Sequence, residues 1–275
     1  MSELAILGGE PVRRKPFPAW PQYSGADLER LRRTVESRRW GGFPYPTPLA
    51  QEFCARFAEM HGARYALPVA NGTVSLSAAL MAADVGFGDE VIVPAYTWDG
   101  TATAVLAMGA VPVFADVDPD TYCLDVESAR RLITERTRAI IPVHLAMRFT
   151  DMDRLMDLAR AHGLKVIEDC AQACGASWMG RPVGSIGDLG AFSFQINKLI
   201  TAGEGGAVTT SDPGLYELAV RAHDQGNLRD AEGAHGVDRS GRAFVGENYR
   251  MSELAGAVLV EQLKKLDSII ARLQA

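Results

Sequence analysis

Lys198 stands alone in GAFSFQINKLITAGEGGAVTT (residues 190–210), between an aromatic, strand-like run and the glycine-rich AGEGGA. A surface lysine serves solubility. One set among small residues, its pKa depressed by desolvation or neighbouring cations, is a nucleophile that condenses with a carbonyl. Other polar residues fall where short apolar runs end. Asn71, Gly72 and Thr73 follow YALPVA and open a helical stretch. Backbone N–H groups at a helix start, with glycine permitting close approach, suit a phosphate, although Asn-Gly-Thr is equally an ordinary turn and N-cap. Tyr96 and Trp98 follow VIVPA; such aromatics either stack on a planar ligand or pack into the core. Asp169 ends KVIED, and a carboxylate there caps a helix, pairs with a charge or binds a ligand cation. His144 closes AIIPVH and is expected to be a hydrogen-bonded structural histidine.

One cofactor uses a lysine, a phosphate cradle, an aromatic stack and a carboxylate together: pyridoxal phosphate. The carboxylate would keep the pyridine nitrogen protonated, making the ring an electron sink.

Such residues need a scaffold that gathers strand ends. The runs YALPVA, EVIVPA, VPVFADV, AIIPVH and KVIEDC read as strands buried on both faces. Between them lie the helical stretches TVSLSAALMAADV, TATAVLAMG, DVESARRLITE and DMDRLMDLARAHG, with Gly109 and Gly163 as stop signals. GAFSFQ and GGAVTTS add two strands joined by the loop carrying Lys198. The alternation predicts an α/β fold with a mainly parallel sheet, whose ligands sit beyond the carboxyl ends of the strands. Ahead of it, GGEPVRRKPFPAWPQYS reads as an extended arm and SGADLERLRRTVESRRW as a helix with an apolar stripe of Leu28, Leu31 and Val35. WGGFPYPTP is a loop, after which Thr47 caps a helix with Pro48 at its first position and Phe53, Phe57 and Met60 on its buried face. SELAGAVLVEQLKKLDSIIARLQA reads as one long amphipathic helix with Leu254, Val258, Leu263, Leu266 and Ile270 near one face.

Composition excludes some classes of function. The 275 residues carry a formal net charge of −6 and no basic run beyond RR or KK, which argues against a nucleic-acid surface. No stretch approaches a membrane span. The N-terminus lacks an apolar core followed by a cleavage site, so a cytoplasmic protein is expected. Cys54, Cys123, Cys170 and Cys174 then read as reduced thiols; Cys170 and Cys174 are four apart, but further ligands are wanting, so no metal is expected.

EDCAQACGA, GSIGDLGAFSFQINKLITAGEGGAV and NYRMSELAGAVLVEQLKKLD resemble the DegT/StrS-type aminotransferases, pyridoxal phosphate enzymes of the aspartate-aminotransferase fold. The resemblance runs from about PFPAWPQYS to the last residue. It implies a three-layer large domain in which Lys198 forms the Schiff base and moves the proton. Asp169 would pair with the pyridinium nitrogen and Gln172 lie near the ring. Gly72, Thr73 and Ser193 would bind the phosphate and Trp98 would stack on the ring. Asn248 would reach the phosphate from the partner subunit of a homodimer with a shared active site. Because Lys198 is present where a deoxygenating branch has histidine, the resemblance implies transamination: ping-pong transfer from glutamine or glutamate to a keto-cyclitol or keto-sugar, in aminosugar or antibiotic biosynthesis. PFPAWPQYS, YTWDGTATAVL, DPDTYCLD and EDCAQ are most similar to the branch acting on keto-inositols such as scyllo-inosose. A nucleotide-linked keto sugar and a 3-amino-5-hydroxybenzoate precursor are the alternatives. VHLAMRFTDMD departs from the small or glycine-containing turn usual there; Arg148 lines the substrate entrance, contacts an anionic substrate group or is a solvated loop arginine, the last being the expected role. Family members continue into a smaller domain of roughly 100 residues or more. The expected division is therefore an arm and first helix (1–45), a cofactor-binding large domain (46–250) and a connecting helix (251–275) toward a small domain missing here. A non-catalytic family member or partner subunit is the rival reading.

Overall fold

The computed structural model describes residues 3–41, 47–229, 235–236 and 244–274, so residues 42–46 of the WGGFPYPTP loop lie outside the described residues. Two helices, α1 (Gly25–Ser37) and α2 (Pro48–Met60), precede a regular alternation. It runs β1 (Tyr65–Val69), α3 (Gly72–Ala82), β2 (Glu90–Pro94), α4 (Gly100–Ala107), β3 (Val111–Ala115), α5 (Val126–Arg131), β4 (Thr137–Ile140), α6 (Met152–His162) and β5 (Lys165–Asp169). A short ribbon of β6 (Ser177–Trp178) and β7 (Arg181–Pro182) leads to β8 (Leu189–Ser193), β9 (Gly206–Thr210) and α7 (Pro213–His223). A second ribbon pairs β10 (Leu228–Arg229) with β11 (His235–Gly236), ahead of α8 (Glu253–Leu263) and α9 (Leu266–Gln274).

All seven expected strands join one sheet, in the order β1-β9-β8-β5-β4-β2-β3. The pairs β3/β2, β2/β4, β4/β5 and β5/β8 are parallel, whereas β8/β9 and β9/β1 are antiparallel. Side chains alternate across a strand, and the core divides accordingly. Val91, Val93, Ile167, Leu189 and Ala191 pack with Leu76, Leu80, Val105 and Ala219 of α3, α4 and α7. On the other face, Phe192 meets Phe53, Phe57 and Leu259 of α2 and α8, while Ile92 and Val166 meet Leu155 and Leu158 of α6. The result is three layers, helix–sheet–helix, as expected. β3 departs from the expectation of strands buried on both faces: it is the edge of the sheet, and Val111 and Phe114 are exposed. Gly163 ends α6 in the left-handed conformation, with its N–H on the Ala159 and Arg160 carbonyls. All four cysteines are buried and free of disulfides.

Two terminal helices depart from their sequence patterns. The expected stripe on α1 faces outward: Leu28 is 58% and Val35 46% exposed, while Asp27 and Thr34 are buried. The reason is the end of α8 and the break after it, which present polar and charged groups to α1. Lys265 Nζ donates to both Asp27 carboxylate oxygens at 2.7 and 2.6 Å, Gln262 Nε2 donates to Asp27 Oδ1 at 3.2 Å, and Arg30 pairs with Glu261. The last segment is two helices instead of one, interrupted at Lys264 and Lys265, where Lys265 N–H bonds the Gln262 carbonyl three residues back. No helix among the described residues is long and apolar enough to cross a membrane.

α2 keeps Pro48 in its first turn, but Thr47 makes no side-chain cap bond. Glu253 of α8 caps it instead, accepting Leu49 N–H at 3.0 Å and Ala50 N–H at 3.1 Å. Burial pushes the Glu253 carboxyl up, opposed by those two N–H donors. Glu253→Ala leaves both amides without an acceptor and is expected to cost about 1–3 kcal/mol. At roughly 2–4 °C per kcal/mol, thermal unfolding reads the loss.

Candidate active site

β5 ends in Glu168 and Asp169, whose side chains take opposite faces of the sheet. Asp169 turns toward α3 and α4 and is 5% exposed. It does not cap a helix: Oδ1 accepts Ala171 N–H at 3.1 Å and Oδ2 accepts Thr101 Oγ1–H at 2.9 Å. Thr101 in turn shares a 2.9 Å hydrogen bond with Thr97 Oγ1. Burial pushes the Asp169 carboxyl up, opposed by the Ala171 and Thr101 hydrogen bonds and by the charges of Lys198 and His144. Lys198 follows a turn in which its N–H bonds the Gln195 carbonyl at 2.9 Å. Burial lowers its amine below the ordinary lysine range, and the Asp169 charge pulls the other way. Among the described residues, no ion pair or hydrogen bond engages Lys198 Nζ. A half-buried amine of this kind is poised as a nucleophile.

The lowered amine gives a pH expectation. Condensation of an aldehyde with Lys198 requires the neutral amine, so its rate should rise with pH and level off below the ordinary lysine value of about 10.4. Visible absorbance after mixing the protein with pyridoxal phosphate at a series of pH values measures it.

Gly72 opens α3, whose N-cap Asn71 accepts Val74 N–H at 3.0 Å. A Cβ on Gly72 would lie 2.6 Å from Ser193 Cβ and 2.9 Å from Ser193 Oγ, so the helix start and the end of β8 touch. Gly206 of AGEGGA is equally close: a Cβ there would lie 2.3 Å from the Asn71 carbonyl oxygen. The first-turn N–H groups of α3, left free by helix geometry, thus lie beside the Ser193 and Thr73 hydroxyls. That donor set fits a phosphate dianion. Trp98 is 73% exposed instead of buried in the core; a Cβ on Gly100 would lie 3.0 Å from its Cδ1 and 3.2 Å from Thr73 Oγ1, which puts indole and cradle together. Gln172, half-buried, accepts Ala146 N–H at 3.1 Å through Oε1. Asn248 is exposed and bridges to Asp224; Tyr249 accepts Ala70 N–H at 2.7 Å, so this segment runs beside the strand end that leads to Gly72.

Two parts of the site are absent from the sequence reading. Thr101 orients Asp169, and its signal is a hydroxyl in the first turn of α4, facing the strand ends. Glu168 is the other. It is fully buried and accepts N–H groups from Gly184, Ile186 and Gly187 at 3.0, 2.7 and 2.8 Å, and His144 Nε2–H at 2.9 Å. His144 is therefore the hydrogen-bonded structural histidine expected. Cys170 joins this pair within 4.8 Å, but Glu168 already has both oxygens engaged by hydrogen-bond donors.

A mainly parallel α/β sheet with a lysine, a buried carboxylate and an anion cradle along its carboxyl edge has the architecture of the α/β aminotransferases. Residues 24–275 match the DegT/DnrJ/EryC1/StrS aminotransferase family, and the chain belongs to it. A putative L-glutamine:3-amino-2,3-dideoxy-scyllo-inosose aminotransferase of Streptoalloteichus tenebrarius is 45% identical over 271 residues, 98% of this chain and 64% of that protein. Solved 3-amino-5-hydroxybenzoic acid synthase superimposes with a TM-score of 0.85 at 41% identity, covering 93% of this chain and 65% of the other. NtdA of Bacillus subtilis, solved with bound cofactor PMP, gives 0.77 at 27% identity over 89% of this chain and 54% of its own. The chain thus spans less than two thirds of the length of these relatives.

Proposed function

We propose that this chain provides the cofactor-binding part of a pyridoxal phosphate-dependent aminotransferase that moves an amino group from glutamine to a keto-cyclitol in natural-product biosynthesis. The observation that carries the reading is Lys198: a half-buried, depressed amine within the field of a buried carboxylate and five residues after the serine of a glycine–serine contact. The donor and acceptor classes rest on the scyllo-inosose aminotransferase names of the relatives.

Bound pyridoxal phosphate would supply a carbonyl for the amino group and a ring that accepts electron density. The Gly72 and Thr73 N–H groups and the Ser193 hydroxyl would hold its phosphate. Asp169, oriented by Thr101 and Ala171, would hold a proton at the ring nitrogen. Trp98 would be the aromatic residue that stacks on the ring, and Gln172 would lie near it. Lys198 Nζ would be the amine that condenses with that carbonyl, with loss of water, and the base that moves the proton during amino transfer. Residues 46–250 would make up this unit, with residues 1–45 as arm and first helix and residues 251–275 as the connecting segment. The working form is a cytoplasmic homodimer in which Asn248 reaches across to the partner's phosphate.

Absorbance tests the reading. Protein incubated with pyridoxal phosphate should gain a visible band that L-glutamine bleaches and a keto-inositol restores. A chain that stays colourless is not a pyridoxal phosphate enzyme; a band that no amino donor bleaches marks a non-catalytic family member. Restoration by a nucleotide-linked keto sugar alone would reassign the substrate.

A further inference from the structure

The turn after β4 is unusual in its backbone. Ala146 (φ 48°) and Met147 (φ 63°) lie consecutively in the left-handed region, which side-chain-bearing residues enter at a cost. The turn is held at both ends: Ala146 N–H donates to Gln172 Oε1, and Arg148 N–H donates to the Leu145 carbonyl at 2.8 Å. Arg148 then leaves the turn extended, and its guanidinium NH1 donates to the Asp120 carbonyl at 3.2 Å. Two residues beyond Asp120, the exposed Tyr122 packs edge-on against Tyr96, ring centroids 6.1 Å apart, and Tyr96 is two residues before Trp98. Arg148 therefore stands, exposed, on a rim between Gln172 and the aromatic residues at the end of β2.

Its charge is uncommitted. A guanidinium has five N–H donors, and only a neutral carbonyl takes one here. Among the described residues no carboxylate forms an ion pair with it. The nearby Asp118 carboxylate is spent within its own turn, accepting Asp120 N–H, Thr121 N–H and Thr121 Oγ1–H at 3.0, 2.8 and 3.1 Å. The other cations of this edge are not available. Burial disfavours the charge of Lys198, which the proposed function commits to the cofactor, and Arg250 is paired with the buried Asp224.

An α-amino acid donor brings a carboxylate next to the amine it gives up. Lowering that carboxylate into a cleft requires a partner that replaces water, and a fork of N–H donors suits it best. We propose that Arg148 is a specificity-determining residue that pairs with the α-carboxylate of the amino donor. This rests on the aminotransferase reading above. The same guanidinium chemistry would suit the phosphate of a nucleotide-linked sugar, but the keto-cyclitols in the relatives' names carry no anionic group, which leaves the donor as the source of charge.

The test uses the cofactor-loaded chain and its variant Arg148→Met. The variant should need roughly 10- to 100-fold more L-glutamine for half-maximal bleaching of the visible band. The band position, and the response to L-glutamine α-amide, which has no carboxylate, should not change. Arg148→Lys should recover part of the loss, since it restores charge without the fork. Calorimetry with glutarate, which cannot react, should show binding to the wild type and a weakening of the same size in Arg148→Met. Equal glutamine saturation in both proteins overturns the proposal, as does a loss confined to nucleotide-linked sugars or a wild type that binds no glutarate. A wild-type band that no donor bleaches sinks the aminotransferase reading instead, and the glutarate comparison still decides whether Arg148 is a carboxylate site.

Discussion

Lys198→Ala abolishes covalent capture of pyridoxal phosphate. Borohydride reduction of the wild type adds a stable cofactor mass to the peptide carrying residue 198, whereas the variant gains none. Amino transfer falls on the order of 10⁴-fold or more, because both the nucleophile and the proton carrier are lost. Lys198→Arg does not rescue, since a guanidinium stays protonated at any working pH and offers no lone pair. The variant is expected to fold normally. Lys198 Nζ makes no ion pair or hydrogen bond among the described residues, and burial already disfavours its charge, so the melting temperature should stay within the range of a surface substitution, about 0.5 kcal/mol. Binding of the cofactor without the bond should persist through the contact of Gly72 with Ser193 and through Asp169, which a red shift on adding the phosphate ester to the variant would not reveal but equilibrium dialysis would.

Asp169→Asn separates stability from activity. The carboxylate is buried with, among the described residues, only Thr101 and Ala171 as hydrogen-bond donors, and its carboxyl is pushed up by that burial. A raised folded pKa means that the ionised form costs folding free energy at neutral pH, a penalty that shrinks as pH falls toward the folded value. Asparagine removes the charge and keeps the shape. The hydroxyl pair of Thr101 and Thr97 can reverse its direction to accept the new amide. Without cofactor, the variant should therefore melt higher than the wild type at pH 7, by roughly 2–4 °C for each kcal/mol relieved, and the gap should narrow as pH is lowered. With cofactor, amino transfer should fall on the order of 10²–10³-fold, because a neutral amide does not hold the proton at the ring nitrogen or stabilise the charge that develops there. A variant that is both less stable and equally active would remove Asp169 from the site.

The α/β alternation and all seven strands were legible because each strand is a short apolar run bounded by glycine, proline or a polar residue. The placement of Lys198, Asp169, Gly72 and Trp98 was legible for a related reason: all follow apolar runs, and the fold puts them at or just beyond strand ends. The failures were of another kind. Periodicity on α1 separates an apolar face from a polar one, but burial went to Asp27 and Thr34 because a segment more than 200 residues later supplies Gln262 of α8 and Lys265 just beyond it as partners of Asp27. The run at the C-terminus has helical spacing throughout, yet it breaks where Lys264 and Lys265 turn to Glu261 and Asp27. β3 has the composition of a buried strand and became an edge, a matter of sheet order alone.

The sequence by itself therefore determined the chemistry available: one lysine in a crowded loop, carboxylates ending a strand, and a glycine at a helix start. Residue type and distance from an element's end are local properties, written in consecutive positions. Which of these groups meet was decided only by the tertiary structure. Gly72 touches Ser193, and Thr101 reaches Asp169, because β1 lies beside β9 at one side of the sheet and β5 stands near its centre. Strand order joins residues 68 to more than 100 positions apart, and no local pattern records it.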